Sequence, residues 1–450
     1  MNKDSKIAIL GAGVEGLGLA KYLYSKGYLN LTIFDEQEDP STVGIEKFEL
    51  VTGKDAFSKI KNFNFVFRSP GIHLKKLNDI DSAVLTSTTN YFFQNHKGLI
   101  IGVTGTKGKG TTSTLIYQIL KKAGKDVFLG GNIGVSPLEF LDQLNENSIS
   151  VLELSSFQLF DLKQSPNIAV VLNVTSDHLD YHADLEEYHQ AKEAICTYQQ
   201  ANDLCITNAD YPYLIERYQN KSPAKKMLVS TKRLVPNGSW IKWDKDGEDI
   251  IYITNGVNEE NIAKVSDVAL LGRHMLENVL PAVTVAKYLG VKNSDIIEIL
   301  KTFKGLPHRL EEIKTLNGKT FYDDSISTNP LTSIIACEAF NRPIALIAGG
   351  SNKGLNYKEW ADYMVKNPNI KVITLIGEIA PQLKKDLISA SASSTRDLQI
   401  FECKSLQEAV QKSYELSPEN AVILLSPATA SFGMFKNYKE RGEKFKEFAN

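Results

Sequence analysis

Residues 99–115, LIIGVTGTKGKGTTSTL, constrain this chain more than any other stretch. An apolar run from Leu99 to Ile101 turns through Gly102, Gly105 and Gly108, and a helix-forming run follows from Ser113. Strand, glycine-rich turn and helix, with a lysine at the turn, make a cradle for a nucleoside triphosphate. Glycines let backbone N–H groups face phosphate oxygens, and the helix N-terminus adds partial positive charge. Gly105, Thr106, Lys107, Gly108, Lys109 and Gly110 are the expected loop. Lys109 reaches the β- and γ-phosphates there, and a threonine hydroxyl meets Mg2+. The spacing departs from G-x-x-x-x-G-K-[ST]. Val103 stands where the first glycine belongs, and Gly110 follows the lysine, which moves the hydroxyl to Thr111. A ligand-free glycine turn is the alternative, and it leaves Lys109 without a reason.

A chain of 450 residues exceeds one ordinary core and implies two or three domains. Its net charge of −2 offers no basic field for nucleic acid or an anionic membrane. Cys196, Cys205, Cys337 and Cys403 are scattered without a C-x-x-C pair. A disulfide framework and a structural zinc are therefore not expected, and a reducing cytoplasm fits. The opening MNKDSKIAILGAG reads as a first strand entering a glycine turn, not as a signal peptide. No apolar run approaches the ~18 residues of a membrane span, so no membrane insertion is expected.

Residues 6–10 read as a buried parallel strand, followed by Gly11, Gly13 and Gly16 in G-x-G-x-x-G spacing. A second strand ends at Asp35, about where a ribose contact would lie in a dinucleotide-binding fold. Any nucleotide diphosphate could use this turn, so a nicotinamide reading stays a minor alternative. The stretch 64–72 reads as a strand ending in Ser69-Pro70-Gly71, at the sheet edge where open α/β folds bind ligands. An ordinary proline–glycine turn fits equally well. A boundary is expected near 95–98, before the phosphate loop.

The second sheet continues through DVFLGGNIG, with a glycine turn at Asn132, and SVLELSSFQL. Glu153 lies in an apolar strand, where a carboxylate is costly unless paired or on a metal. Mg2+ ligation is favoured over a salt-bridged core glutamate. The next strand runs into Asn173, Thr175, Asp177, His178, Asp180 and His182. By periodicity, Lys192 reads as an exposed lysine on the following helix. Residues 271–290 read as a loop entering a long helix that contains Pro281, so a kink or a late start is open. A second boundary is expected at 303–307, beside His308, Arg309 and Glu311. The remainder alternates strand and helix into a third parallel sheet. Asp323 and Asp324 lie at its edge, and Lys353 sits in a phosphate-like turn.

These stretches together resemble the ATP-dependent Mur ligases of peptidoglycan synthesis. The resemblance covers almost the whole chain: GVTGTKGKGTT, GGNIG, LELSSFQL, NVTSDHLDYH, GLPHRLE, DDSISTN, IAGGSNKG and LLSPATASFGMFKNYKERG. It implies an α/β fold of three domains. Residues 1–97 would be a Rossmann-like UDP-sugar domain, 98–304 a P-loop ATP domain with a parallel sheet, and 305–450 a Rossmann-like amino-acid domain. It implies amide ligation of D-glutamate to UDP-N-acetylmuramoyl-L-alanine through an acyl phosphate, in cell-wall biogenesis, by a cytoplasmic monomer.

Residue roles follow from the same resemblance. Lys109 and Thr111 would hold ATP and Mg2+, and Glu153 would ligate that metal. His178 would bind a second Mg2+ with Lys192, which matches the lysine carbamylated in this family. Lys109, His178 and Lys192 would form the catalytic set. Asn278, Arg309 and Asp324 would complete the ATP site. Gly13, Val14, Glu15, Asp35, Ser69, Gly71 and Asn132 would meet the UDP substrate. Thr328, Lys353, Ser431 and Phe432 would receive the amino acid.

Three positions depart from the family pattern. Gly110 follows the loop lysine, as in folylpolyglutamate synthases, so a ligase of that type is the runner-up, disfavoured by the N-terminal Rossmann-like domain and LELSSFQL. Met275 replaces an asparagine near the adenine. Ile326 stands where the family has a lysine beside the amino acid's side-chain carboxylate, which leaves L-glutamate open. Outside the ligases, a nicotinamide dehydrogenase and a non-catalytic nucleotide-binding scaffold are the alternatives. The first leaves Lys109 and Glu153 unexplained, and the second sits poorly with the presence of Lys109, Glu153 and His178.

Overall fold

In the computed structural model, residues 1–38, 47–133, 135–175, 177, 181–245, 247–352, 354–392, 396 and 398–449 are described. They build three sheets. The first is all parallel, in the spatial order Glu49–Thr52, Leu31–Asp35, Ile7–Leu10, Phe65–Arg68, Leu85–Ser87. Its central strand is IAIL, buried at every position. Such continuous apolar runs suit parallel strands, which are covered on both faces.

The second sheet has nine strands. Its parallel part holds Lys225–Ser230, Leu204–Asn208, Ile168–Val171, Leu99–Thr104, Ile149–Glu153 and Val127–Gly131 side by side. The sheet is not wholly parallel, as the sequence implied. Asn237–Lys242 adds to it parallel to Lys225–Ser230, and Ile250–Asn255 and Asn258–Lys264 then extend it as an antiparallel edge. The reason is local: Gly256 and Val257 form a two-residue hairpin turn between the paired Asn255 and Asn258, with Gly256 at φ 64° and Val257 exposed.

The third sheet runs Glu311–Leu316, Lys319–Asp323, Val422–Leu425, Ile344–Gly349, Ile370–Ile376, Gln399–Glu402. It is parallel except for the hairpin between the first two strands. The chain divides into two compact units, Met1–Val268 with Leu276–Lys301, and Ala269–Met275 with Thr302–Asn450. The first unit holds two sheets and the second holds one. The helix Leu276–Tyr288 carries Pro281 in its interior. Among the described residues, no helix is long and apolar enough to cross a membrane.

Candidate active site

The phosphate loop leaves the strand Leu99–Thr104, which pairs with Ile149–Glu153 on one side and Ile168–Val171 on the other. Gly105 and Gly108 take φ 153° and 85°, and Gly108 caps the helix Lys109–Lys122. Only glycine adopts this conformation without strain. Gly108 also has no room for a side chain, since a Cβ would collide with Asn278 Oδ1. Lys109 Nζ donates to the carbonyls of Gly105 and Thr106, both at 3.1 Å. The lysine thus bridges its own loop, over a helix N-terminus that favours anions. Thr111 Oγ1 is buried and has no hydrogen-bond partner among the described residues. An orphaned hydroxyl one turn into the helix fits the displaced metal-binding position. Thr106 instead ties the loop to the segment after the next strand. Its Oγ1 accepts from Thr175 N–H at 2.8 Å and lies 3.0 Å from the Tyr188 hydroxyl. Lys107 pairs with Asp177 at 3.0 Å. Thr112 donates to the backbone oxygen of Asn278 at 3.3 Å, which brings Asn278 onto the loop.

Glu153 ends its strand almost fully buried and accepts from Asn132 Nδ2 at 3.0 Å. Asn132 N–H donates to the Glu153 carbonyl at 2.9 Å, so two expected site residues fix each other. Lys192 corrects the sequence reading: it is 1% exposed, not a surface lysine. Its helix, Leu185–Thr197, buries Tyr188, Ala191, Lys192, Ile195 and Cys196, one stripe at helical spacing. The apolar residues at 188, 191 and 195 could have placed Lys192 on that stripe. Lys192 Nζ lies 3.2 Å from the Gly105 carbonyl, 3.4 Å from Thr104 Oγ1 and 4.8 Å from the Tyr188 ring centre. Burial, and then the Lys109 cation, push its pKa well below the ordinary lysine range; Asp177 and Glu153 oppose the shift. Burial and that cation both disfavour the charged form of an amine that lies beside the phosphate loop. His178 lies outside the described residues, as does Lys353. His182 is buried, with Nε2 2.9 Å from Ser156 Oγ.

The first glycine turn is chemically unlike the second. Asp35 accepts from the Ala12 N–H at 2.7 Å, so its carboxylate closes the turn. Gly13 caps the helix Val14–Ser25, and Val14 is exposed. Glu15 accepts from Thr88 Oγ1 at 2.6 Å and Gln158 Nε2 at 2.7 Å. Burial raises its pKa against those bonds and the Arg68 charge. A cavity beside it is lined by Thr88, Gly131, Ser136 and Gln158. Ser69 is buried with Oγ 3.5 Å from the Gly11 carbonyl, and Gly71 is exposed.

In the second unit Arg309 sits between His308 and Leu310, at φ 63° and 44°. Two such non-glycine departures, one on either side of Arg309, cost about 1–3 kcal/mol each and need external support. His308 Nδ1 supplies it at 2.7 Å from Asp323 Oδ2, and Glu311 Oε2 accepts from His308 N–H at 2.7 Å. Arg309 Nε is buried without a partner among the described residues. Asp324 is buried and accepts from Ser426 Oγ at 2.7 Å and Leu310 N–H at 3.3 Å. Burial drives its pKa up to about 7. Thr328 is half-buried, Ser431 buried and Phe432 exposed. Arg441, which no sequence signal singles out, is fully buried. It joins the Asp323–Ser327 turn to the last strand's loop through Ser325 Oγ at 3.0 Å and the Thr429 carbonyl at 3.1 Å.

Residues 103–286 match the family described as Mur ligase middle domain. A protein of Acetivibrio thermocellus named UDP-N-acetylmuramoylalanine–D-glutamate ligase is 36% identical, covering 100% of this chain and 97% of its own length. A protein of Clostridium tetani with the same name is 34% identical over 99% of each. Among solved structures, UDP-N-acetylmuramate–alanine ligase of Thermotoga maritima aligns with a TM-score of 0.61 at 19% identity, over 98% of each chain. The MurF ligase of Thermotoga maritima in complex with ADP aligns at 0.59 and 18%, over 100% of this chain and 96% of its own. At such identities the structural matches establish the fold.

Proposed function

This chain belongs to the Mur ligase family, and from that premise we propose that it is an ATP-dependent ligase joining D-glutamate to UDP-N-acetylmuramoyl-L-alanine. The observation that carries the reading is the set of groups around the phosphate loop: the half-buried Lys109, the orphaned hydroxyl of Thr111, and the buried Glu153 and Lys192. A carboxylate is a poor acylating agent because oxide is a poor leaving group. Phosphoryl transfer from ATP makes an acyl phosphate, which the glutamate amine attacks with loss of phosphate. Positioning and electrostatics supply the catalysis in such transfers.

The protein's own groups divide this work. Lys109 and the backbone of residues 105–110 bind and orient the triphosphate. Thr111 and Glu153 would hold one Mg2+, and His178 with Lys192 would hold a second; bound Mg2+ would neutralise charge on the transferring phosphoryl group. Lys192 suits carbamylation because burial and the Lys109 cation push its pKa down, which favours the neutral amine, and a carbamate would turn it into an anionic ligand. Asn278, Arg309 and Asp324 complete the ATP site. Ser69, Gly71 and Asn132 meet the UDP substrate, and the 11–16 turn, shaped by Asp35, receives its diphosphate through the backbone of Gly13, Val14 and Glu15. Thr328, Lys353, Ser431 and Phe432 receive glutamate.

The three domains fall at 1–97, 98–304 and 305–450. The protein works as a monomer in the cytoplasm, a setting in keeping with four free, buried cysteines. Ile326 supports a second reading, the same ligation with L-glutamate, since an apolar side chain stands where the family places a lysine. Phosphate release from ATP with UDP-N-acetylmuramoyl-L-alanine, run with D- and L-glutamate in parallel, tests both. D-glutamate-dependent release is expected. Release with L-glutamate alone replaces the product, and none with either overturns the assignment.

A further inference from the structure

Arg68 ends the strand Phe65–Arg68 and is 0% exposed. Five N–H donors cannot be buried without acceptors. Nε and Nη2 grip Asp161 Oδ2 and Oδ1 at 3.2 and 2.7 Å, a bidentate pair. Nη2 also donates to the Phe157 carbonyl at 3.1 Å. Nη1 donates to the carbonyls of Pro70 at 3.0 Å and Ile72 at 2.8 Å. It also lies 3.4 Å from the Tyr181 hydroxyl, which donates to the Pro70 carbonyl at 3.1 Å.

Three chain segments meet on this one guanidinium. The first is the 69–72 turn, whose two carbonyls it holds. The second, through Phe157 and Asp161, is the segment that follows the Glu153 strand. The third, through Tyr181, is the segment that follows Asp177. An apolar side chain would fill the place without desolvating a charge. What arginine adds is a rigid fork with donors in several fixed directions, which lysine lacks.

We propose that Arg68 is a positioning residue for the ligation: it holds the 69–72 turn, and so the acceptor carboxylate of the UDP-sugar, in register with the phosphate-transfer centre. This rests on the ligase reading. Arg68 touches neither nucleotide nor metal in that reading, so its loss is felt by one substrate.

The test is steady-state phosphate release by the full-length enzyme, varying UDP-N-acetylmuramoyl-L-alanine and ATP in turn. The unaltered enzyme is measured first. If it does not turn over, the ligase reading fails and takes this proposal with it. With turnover established, Arg68→Lys and Asp161→Asn are expected to raise KM for the UDP substrate at least tenfold and lower kcat. KM for ATP should stay within twofold. Tyr181→Phe, which removes one hydrogen bond and leaves the ring, should raise the same KM about threefold. Circular dichroism of each variant reports its folded fraction. If Arg68→Lys does not fold, Asp161→Asn and Tyr181→Phe decide the question alone. An unchanged KM for the UDP substrate in folded variants overturns the proposal. So does a rise in both KM values together.

Discussion

The two glycine turns of the first unit share a backbone plan and differ in charge. Each follows a buried parallel strand and opens a helix. At 11–16 the groups facing the turn are carboxylates, with Asp35 on the Ala12 N–H and Glu15 tied to Thr88 and Gln158. At 105–110 they are lysines, with Lys109 bridging the loop carbonyls and Lys192 buried behind it. Backbone geometry alone makes an anion site. Side-chain charge then sets how much anion such a site favours: the lysines at the second turn suit a highly charged triphosphate better than the carboxylates at the first do.

The strongest way to break this contrast is Lys109→Ala. It should cut turnover by roughly 10³-fold or more, about 4 kcal/mol at 1.36 kcal/mol per tenfold. Hydroxylamine trapping should find no acyl phosphate, and its retention would place the phosphoryl transfer elsewhere. Lys192→Ala should follow, at about 10²-fold in kcat if the residue contributes as much as a positioned acid–base or ligand group. The unaltered protein should show a carbamate carbon by NMR in 13C-bicarbonate, and the variant should lack it.

Glu153→Gln comes next. It keeps the hydrogen-bonding shape toward Asn132 and removes the anion, so half-maximal activity should need about tenfold more Mg2+, the usual size of a ligand-shell defect. An unchanged Mg2+ requirement would make Glu153 a structural partner of Asn132 alone. At the first turn the sign reverses. Glu15→Gln should tighten the UDP substrate by about three- to tenfold, because ~1 kcal/mol of like-charge repulsion is removed at a partly wet site. A weaker KM would mean that Glu15 shapes the turn more than it repels the ligand.

The smallest effect is one of stability. Asp324 titrates at about 7 in the folded chain against an ordinary 3.8, so the folded state holds the extra proton between those values. Stability contributed there is present below the lower value and lost as pH rises toward the upper one. The melting temperature should fall by a few degrees between about pH 4 and 7 from this group. Asp324→Asn should flatten that part of the profile.

The phosphate loop was legible because its chemistry is local. Glycines, lysine and threonine lie within a few residues, and each acts through the backbone beside it. The central strands were legible for the same reason, as unbroken apolar runs. Lys192 was misread because a lysine on a helix is ordinarily wet. Only the stripe shared with Tyr188, Ala191 and Ile195 buries it. Arg309 was singled out by its neighbours in sequence, but the left-handed residues on either side of it are held by the distant Asp323 and Asp324: His308 by Asp323, fifteen positions away, and Leu310 by Asp324. The antiparallel edge at 250–264 was not foreseen, because an apolar run such as 250–253 does not announce the direction in which it will pair.

The sequence by itself determined the strand–turn–helix units, the residue types offered to a triphosphate and a metal, and the family to which they belong. Those are properties of short stretches, set by backbone sterics, periodicity and the donors each side chain carries. The tertiary structure decided the protonation and the aim of those groups. Burial next to Lys109 pushes the Lys192 pKa well below the ordinary lysine range. Asp324 gains a proton through burial beside Ser426. Arg68 finds Asp161 ninety-three residues away. Desolvation and long-range pairing are sums over neighbours that the chain brings together only when it folds, and no local pattern states them in advance.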